Sequence, residues 1–504
     1  LLNAIKIAGG GKMRIFTDLV KDLLKALKIS AKITKEMENS TEGDIIWIEN
    51  STFPIQCKIC GDSSAKDLIL KVKNPFQTEN FLDLYKCKNC HTCFFYPFNY
   101  PDYKNPIFDK YIKFYVEQGA GIDFMIMYLV KLEKDFKDKS FCDVGYGFGF
   151  SVHFAQNFLK MKAVGIEPGL EGKVGSKLLN IKIYNDYLEN VKEISGEKFD
   201  IILSSEVIEH VKDPLGFLFN LKEFANKETV VIITTLNSNW IKKDTKYSTL
   251  LEILFPAFHH YICSPYALDI LAKKAGFRVR KIIEHTHRLI LYASNKEFEI
   301  MTFEEVDFRK KIYIPYLYQI VNERKTSDIL YDGASWRLFK ELVNMGEYEK
   351  ALEIYEKTNL KNFLESESFE NLINNIENIK TFDEFGSKYP YFLPGALYYL
   401  GMLLLNHIAD YECSAKSFKS SFIVGLKCLS LGTAYYEEMA DLLWWAKFHE
   451  GLSYLYRGNI SEAIKCFGLI LENFNNPNKR FFFITPSKLI VKRVIKSLEQ
   501  WLGE

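Results

Sequence analysis

Ser140-Phe-Cys-Asp-Val-Gly-Tyr-Gly-Phe-Gly149 is an apolar run that opens into glycines at alternate positions, and a segment of helical period, Phe150–Met161, follows it. A strand that ends in a glycine loop and continues into a helix is the first unit of an open α/β sheet. Glycines at 145, 147 and 149 let the backbone pass close beneath a ligand in conformations barred to a Cβ. Such ligands sit outside the carboxyl ends of the strands.

Outward from that unit, further apolar runs alternate with amphipathic segments: Ala163–Glu167, Ile181–Tyr184, Phe199–Leu203, Thr229–Thr235, Arg278–Glu284 and Leu289–Ala293. The alternation predicts a seven-stranded, mostly parallel Rossmann-like sheet with helices on both faces. The last two runs are too close together for a crossover helix, so they should pair antiparallel at the sheet edge.

The loop spacing discriminates between ligands. A dinucleotide loop reads Gly-x-Gly-x-x-Gly and receives a pyrophosphate. Here the third glycine comes one residue early, and Asp143 precedes the first. A carboxylate there repels pyrophosphate and suits a ligand with a cationic amino-acid end. Glu167, 24 residues beyond Asp143, closes the next strand and can accept both hydroxyls of a ribose. Glycine loop and acid together leave NAD and S-adenosylmethionine (SAM) both open, and either acid could merely solvate a strand end.

Phe199-Asp-Ile-Ile-Leu-Ser-Ser-Glu-Val-Ile-Glu-His-Val-Lys-Asp-Pro214 narrows the choice. It resembles the fourth strand and following turn of class I SAM-dependent methyltransferases, within the superfamily of quinone and sugar methyltransferases. Asp143–Gly149, Glu167 and His259-His-Tyr-Ile-Cys-Ser-Pro-Tyr-Ala-Leu-Asp-Ile-Leu-Ala-Lys-Lys-Ala-Gly-Phe277 resemble the same family. The resemblance implies a cofactor site in which Asp143, Gly145 and Gly147 line the methionine end of SAM, Gly149 belongs to the same cofactor loop and Glu167 holds the ribose. Asp186 would meet the adenine amine, and Glu206 would lie beneath the sulfonium. Tyr146 departs from the small or Cys residue usual at its position. Asp186 also reads as an ordinary loop acid, and Glu209 with His210 as a pair answering a helix dipole.

Methyl transfer is an in-line displacement. The protein aligns nucleophile and methyl, then removes a proton where the acceptor needs it. His210 and His259 are the candidate catalytic residues, since an imidazole titrates near neutrality. His260 should point elsewhere. Tyr111–Phe124, with Tyr115, Glu117 and Gln118, reads as a lid over the cofactor or as aromatic packing.

Cys57-Lys-Ile-Cys60 and Cys87-Lys-Asn-Cys90 are two Cys-x-x-Cys turns separated by 26 residues. Two such knuckles complete a tetrahedron, so Cys57, Cys60, Cys87 and Cys90 are assigned a structural Zn2+, with His91 and Cys93 as spares. The resemblance extends to this module. A zinc ribbon ahead of the catalytic core, acting as a substrate-side lid, recurs in sugar C-methyltransferases.

Beyond residue 300 helical period takes over. Trp336–Tyr355, with Gly346 and Ala351, resembles a tetratricopeptide (TPR) repeat. So does the set Gly451, Tyr454, Gly458, Ala463 and Phe467, with a weaker copy from Leu400-Gly401 to Ala415 and Phe418. The small residues are expected where two helices cross closely, and Thr485–Trp501 is expected to cap the array. Such repeats bury their faces only by stacking. The array reads as a docking surface for a protein partner or as a buttress.

The 504 residues therefore divide into a helical N-terminal extension over 1–48 (with a helix at Ile15–Leu27), a zinc ribbon over 49–104, a SAM-dependent methyltransferase domain over 105–298 and TPR-like helices over 299–504. With 65 basic and 64 acidic residues, no electrostatic footprint for nucleic acid is present. No apolar run reaches the roughly 18–20 residues of a membrane span. Leu1–Lys12 lacks a cleavage site, so no signal peptide is expected; the first Met is Met13, and those residues are set aside. Ten cysteines, five of them within 57–93, fit a reducing, cytoplasmic protein better than a secreted disulfide scaffold. The expected activity is methyl transfer to an O, N or C nucleophile. The expected acceptor is a sugar or surface-glycan precursor, with a protein or a quinone-like molecule second. A non-catalytic adaptor that keeps the fold as scaffold is the alternative of another class.

Overall fold

The computed structural model describes residues 45–475 except 75–76, 99, 101–102, 105–110, 133–134, 146, 325–327 and 432–435, together with 491–492 and 494–496. The helix expected at Ile15–Leu27, most of Thr485–Trp501, and Tyr146 lie outside these residues. The chain forms two compact units, one of residues 43–245 and 249–316, the other of 246–248 and the residues from 317 onward.

In the first unit a small antiparallel sheet comes first in the chain: β1 (Ile45–Trp47), β2 (Thr52–Phe53), β3 (Lys66–Asn74), β4 (Gln77–Lys86) and β5 (Cys93–Tyr96). Burial alternates strictly along β3, as a strand with one face on a core requires. A second sheet follows, of β6 (Ser140–Val144), β7 (Lys162–Ile166), β8 (Ile183–Tyr184), β9 (Phe199–Ser205) and β10 (Ala225–Leu236). Tyr261–Ile262 (β11) leaves this series, and β12 (Val279–His285) and β13 (Arg288–Ser294) complete it.

The seven strands of the second sheet run in the order β12-β13-β10-β9-β6-β7-β8. Strands β8, β7, β6, β9 and β10 are parallel. β13 pairs antiparallel with β10, and β12 antiparallel with β13 at the edge. Successive strands progress outward on one side of β6 and then resume on its other side at β9. The crevice between the carboxyl ends of these two strands is the switch point where open α/β sheets bind ligands. β6 is buried at all but its first residue, which is why its sequence reads as a continuous apolar run. β10 is longer than the run Thr229–Thr235. Its polar start is carried by a register irregularity, where the Asn226 side chain takes the Glu228 and Thr229 amides at 2.7 and 3.1 Å. The helix after the glycine loop ends at Phe158 rather than Met161. It relaxes into a wider turn in which Leu159 N–H reaches Phe154 O at 3.1 Å.

The cysteine-bearing segment is welded to this sheet. β11 pairs antiparallel with β5, matching Tyr261 to Phe94 and Ile262 to Cys93. One hydrophobic cluster joins Cys57, Cys87, Cys90 and Phe94 to Ile202, Val231 and Leu289. Polar ties add to it: Ser264 Oγ donates to Cys90 O at 2.6 Å, Ser238 Oγ to His91 O at 2.8 Å and Lys274 Nζ to Ile59 O at 3.0 Å. The unit also runs past the sequence boundary at 298. Met301 N–H bonds Lys131 O at 2.7 Å, and the buried Tyr316 hydroxyl meets His153 Nδ1 at 3.0 Å.

The second unit is helical among its described residues, from Ile329–Asn344 to Ile460–Asn475. Glycines allow close crossings at two of the expected places: a Cβ on Gly401 would lie 2.8 Å from Phe418, and one on Gly451 2.8 Å from Phe467. Gly346 is different. At φ +73 with open space around its Cβ, it turns the chain between Ile329–Asn344 and Tyr348–Lys357, and no helix crosses there. Gly458, at φ +73, also has the left-handed backbone of a helix end.

Candidate functional site

The site lies at the carboxyl ends of β6, β7 and β9. Gly145, Gly147 and Gly149 all adopt positive φ, at +77, +56 and +82. A Cβ on Gly145 would stand 2.3 Å from a Val207 methyl, whereas one on Gly147 would meet nothing within 4 Å. The loop therefore needs glycine at 145 to pack against the β9 turn, and at 147 it faces open space.

Asp143 closes β6 and is 1% exposed. Ser151 Oγ donates to its Oδ2, and Oδ1 has no hydrogen-bond partner among the described residues. Burial raises this carboxyl to about 7. A buried acceptor without a donor is costly unless a ligand completes it. Glu167 turns back over the same loop, accepting Gly169 N–H at 2.8 Å through Oε1 and Gly147 N–H at 3.1 Å through Oε2. Burial raises it to about 7 as well, against the pull of those two amides. Each carboxylate oxygen has a second lone pair for a hydroxyl donor. An unpaired acid at a cationic end and a second acid poised for a diol fit the methionine and ribose parts of SAM.

Asp186 lies on the loop after β8. Its Oδ1 collects Tyr187 N–H at 2.7 Å, Lys104 Nζ at 2.8 Å and Asn190 Nδ2 at 3.0 Å. The hydrogen bonds, Asn190 first and Lys104 next, hold the carboxyl down at about 2. Glu206 follows β9 with φ +56, an uncommon conformation for a residue with a Cβ. It accepts from Thr234 Oγ1 at 3.1 Å and lies 3.8 Å from Arg288 Nε. Burial raises its pKa against the attraction of Arg288.

The β9 turn brings His210 against His259, ring centres 4.8 Å apart. His259 Nδ1 lies 2.8 Å from Ile253 O and His210 Nδ1 3.0 Å from Phe258 O. A carbonyl only accepts, so each Nδ1 carries the hydrogen and each Nε2 is left as the basic nitrogen. Burial pushes His210 down to about 4 and His259 well below its ordinary value. Both rings are therefore neutral at pH 7. Glu209 is 1% exposed; Oε2 accepts from Thr235 Oγ1 at 3.0 Å, and burial holds the acid well above the usual range. Ligand-type atoms of Glu209, His210 and His259 all lie within 4.8 Å of one another, so the three groups form one buried polar cluster. His260 points away, its ring 4.4 Å from Tyr100. In the segment Tyr111–Phe124, the helix Ile112–Gln118 sets Tyr115 beside Phe148 of the glycine loop, ring centres 6.3 Å apart.

Several partners had no sequence signal. Ser151 was hidden because its role depends on the turn of the helix after Gly149. Tyr103 sits in a stretch without periodicity, yet its hydroxyl is 2.8 Å from His210 Nδ1. Arg288 reaches Glu252 and lies beside Glu206 only through strand pairing.

The four cysteines form two knuckles of like geometry. Gly61 N–H bonds Cys57 O at 2.8 Å and His91 N–H bonds Cys87 O at 2.9 Å, with Gly61 at φ +85 and His91 at φ +59. The sulfurs of Cys57 and Cys90 are 3.6 Å apart, those of Cys60 and Cys87 3.7 Å, and all four lie within 4.8 Å. Zn–S bonds of about 2.3 Å in a tetrahedron require sulfur separations of roughly 3.8 Å. Neither His91 nor Cys93 belongs to this group.

Residues 122–282 match a family model described as a methyltransferase domain. The chain is 32% identical over 106 residues to a ubiquinone biosynthesis O-methyltransferase of Rhodopseudomonas palustris (strain TIE-1), covering 19% of this chain and 40% of that protein. It is 25% identical over 185 residues to the tRNA U34 carboxymethyltransferase of Campylobacter lari, covering 35% of this chain and 56% of the relative. It thus spans less than two thirds of either. Among solved structures, a magnesium protoporphyrin IX methyltransferase from Synechocystis PCC 6803 with bound SAH aligns at TM-score 0.30 and 15% identity, over 38% of this chain and 96% of that one. On the sequence match, residues 122–282 form a methyltransferase domain, and the strand order and the glycine loop give that domain the Rossmann-like sheet of its fold.

Proposed function

We propose that the chain transfers a methyl group from SAM to an O, N or C nucleophile. The observation that carries this is Asp143, a buried carboxyl with one unpartnered oxygen beneath a loop of three positive-φ glycines. In this reading Asp143 and the loop hold the ammonium end of the methionine, Glu167 the ribose hydroxyls and Asp186 the adenine amine. SAM supplies an electrophilic methyl on a sulfonium. The chain's own task is to align the acceptor between β9 and the His259 segment and to take its proton at Nε2 of His210 or His259. At pH 7 each ring keeps an unprotonated Nε2 that can accept a proton. Isothermal titration tests it: SAM should bind one site per chain, and Glu167→Ala should weaken binding at least about tenfold, as loss of two charge-assisted hydrogen bonds implies. Unchanged affinity in that variant would remove the enzyme reading and favour an adaptor.

For the acceptor, a sugar or surface-glycan precursor is our first reading, from the resemblance of the cysteine module to the ribbon of sugar C-methyltransferases. The partial identity with ubiquinone O-methyltransferases supports a quinone-like acceptor as the second. The four-sulfur geometry supports a structural Zn2+, testable as one equivalent of zinc per chain by elemental analysis. With four protein ligands and no open position, that ion would take no part in the chemistry. The helices beyond residue 317 are read as a docking surface for a protein partner. All ten cysteines are free, in keeping with a reducing, cytoplasmic setting. Among the described residues no helix is long and apolar enough to cross a membrane.

A further inference from the structure

Two adjacent residues touch opposite ends of the site. Tyr103 places its hydroxyl 2.8 Å from His210 Nδ1, with its ring edge-on to the imidazole at a centroid distance of 5.7 Å. Lys104 bonds Asp186 Oδ1 at 2.8 Å and holds its ammonium 5.3 Å from the centre of the Tyr187 ring. Tyr103 is half-buried, and the Lys104 and Asp186 side chains are 45% and 39% exposed, so the pair sits at the rim. The three donors on Asp186, including Lys104, all converge on Oδ1; none of them uses Oδ2. A carboxylate pinned through one oxygen presents the other in a fixed direction, and a fixed acceptor is what distinguishes an amino group from a carbonyl at the edge of a purine.

We propose that Tyr103-Lys104 is a clasp in which Lys104 fixes Asp186 to read the adenine amine of the cofactor and Tyr103 anchors the dipeptide to His210, so that the cofactor end and the acceptor side of the site are aligned together. The proposal rests on the assignment of Asp186 to adenine and of His210 to the acceptor side. Both residues of the clasp are positioning residues. Removing Lys104 leaves Asp186 with Tyr187 N–H and Asn190, free to turn. Removing the Tyr103 hydroxyl leaves His210 Nδ1 held by Phe258 O alone and loosens the turn that carries Lys104.

The test compares S-adenosylhomocysteine with S-inosylhomocysteine, which presents a carbonyl where adenine has its amine, by isothermal titration on the full chain. The parent should prefer the adenosyl ligand about tenfold, the discrimination expected for one hydrogen bond to a charged acceptor. Lys104→Met should cut that preference to about threefold or less. Tyr103→Phe should reduce it too, and should speed carbethoxylation of His210 by diethyl pyrocarbonate, followed by peptide mass spectrometry. A merely structural loss would lower affinity for both ligands equally. Full retention of the preference in Lys104→Met, while Asp186→Asn abolishes it, would overturn the clasp. Retention in Asp186→Asn would overturn the adenine assignment instead. A Tyr103→Phe variant with unchanged preference and unchanged His210 reactivity would overturn the link between the two ends.

Discussion

At Asp143 and Glu167 folding has moved two carboxyls into a place where their charge is poorly solvated until a ligand brings donors to them. Both are raised by burial to about 7. Their unfolded values lie near 4, so between about pH 4 and 7 the folded chain binds more protons than the unfolded one. The contribution of these groups to stability therefore falls as pH rises through that window and is level above it. Ligand binding should show the opposite dependence. An ammonium at Asp143 and hydroxyl donors at Glu167 both prefer the ionised carboxylate, so SAM should bind roughly tenfold more tightly at pH 8 than at pH 6 for each carboxyl it engages. Titration in two buffers of different ionisation enthalpy should show proton release at pH 6 and little at pH 8. Asp143→Asn should abolish the proton release assigned to that group and stabilise the ligand-free chain above pH 7. A pH-independent affinity would mean that SAM engages neither carboxyl. Both acids could be read from the sequence because they follow strand-like runs. Their partners Ser151 and Tyr103 could not, because one depends on helix phase and the other on a long-range approach.

The glycine loop is the element in which local conformation and packing separate cleanly. Gly145 meets Val207 and has positive φ; Gly147 has positive φ and open space. Gly145→Ala should therefore add steric overlap, about 1–3 kcal/mol, to a backbone penalty of about 1–2 kcal/mol. Gly147→Ala should carry only the backbone penalty yet weaken SAM, because its new methyl projects where the ligand belongs. Chemical denaturation and titration together should rank the two variants oppositely for stability and binding. Adding Val207→Ala to Gly145→Ala should recover part of the lost stability. If Gly147→Ala bound SAM as the parent does, the open space beside that residue would not be the cofactor's. At this scale the parallel strands were legible because strands buried on both faces read as continuous apolar runs. β8 was read two residues too long, as Ile181–Tyr184, and the start of β10 was not read at all, since an irregular register lacks that signature. Gly346 was misplaced for a related reason: a glycine between two helices has the same sequence signature whether it serves a turn or a crossing.

Across the first unit the cysteine module and the catalytic sheet share one hydrophobic cluster and the β5–β11 pairing. The strand β11 directly follows His259 and His260, so loss of the proposed Zn2+ should reach the side of the site proposed for the acceptor. Removing zinc with a strong chelator, or replacing Cys60 with Ser, should lower the thermal midpoint by several degrees, as a loss of about 2–3 kcal/mol implies for a domain of this size. The same treatment should raise the reactivity of His259 toward diethyl pyrocarbonate. An unchanged midpoint and unchanged reactivity would show that the module is independent of the sheet. The sequence suggested four segments in a row. It carried no sign that residues 49–104 and 105–298 would share a core, because the pairing of β5 with β11 joins positions far apart in the chain. The extension to Tyr316 was equally hidden, resting on approaches between distant positions such as Met301 N–H to Lys131 O and the Tyr316 hydroxyl to His153. The most direct test of the whole account is the affinity of the zinc-loaded chain for SAM at pH 8, beside Asp143→Asn. SAM should bind saturably at one site per chain, and at least about tenfold more weakly in the variant, as expected for a lost charge-assisted contact. Absence of binding by the parent, or equal binding by both proteins, would contradict it.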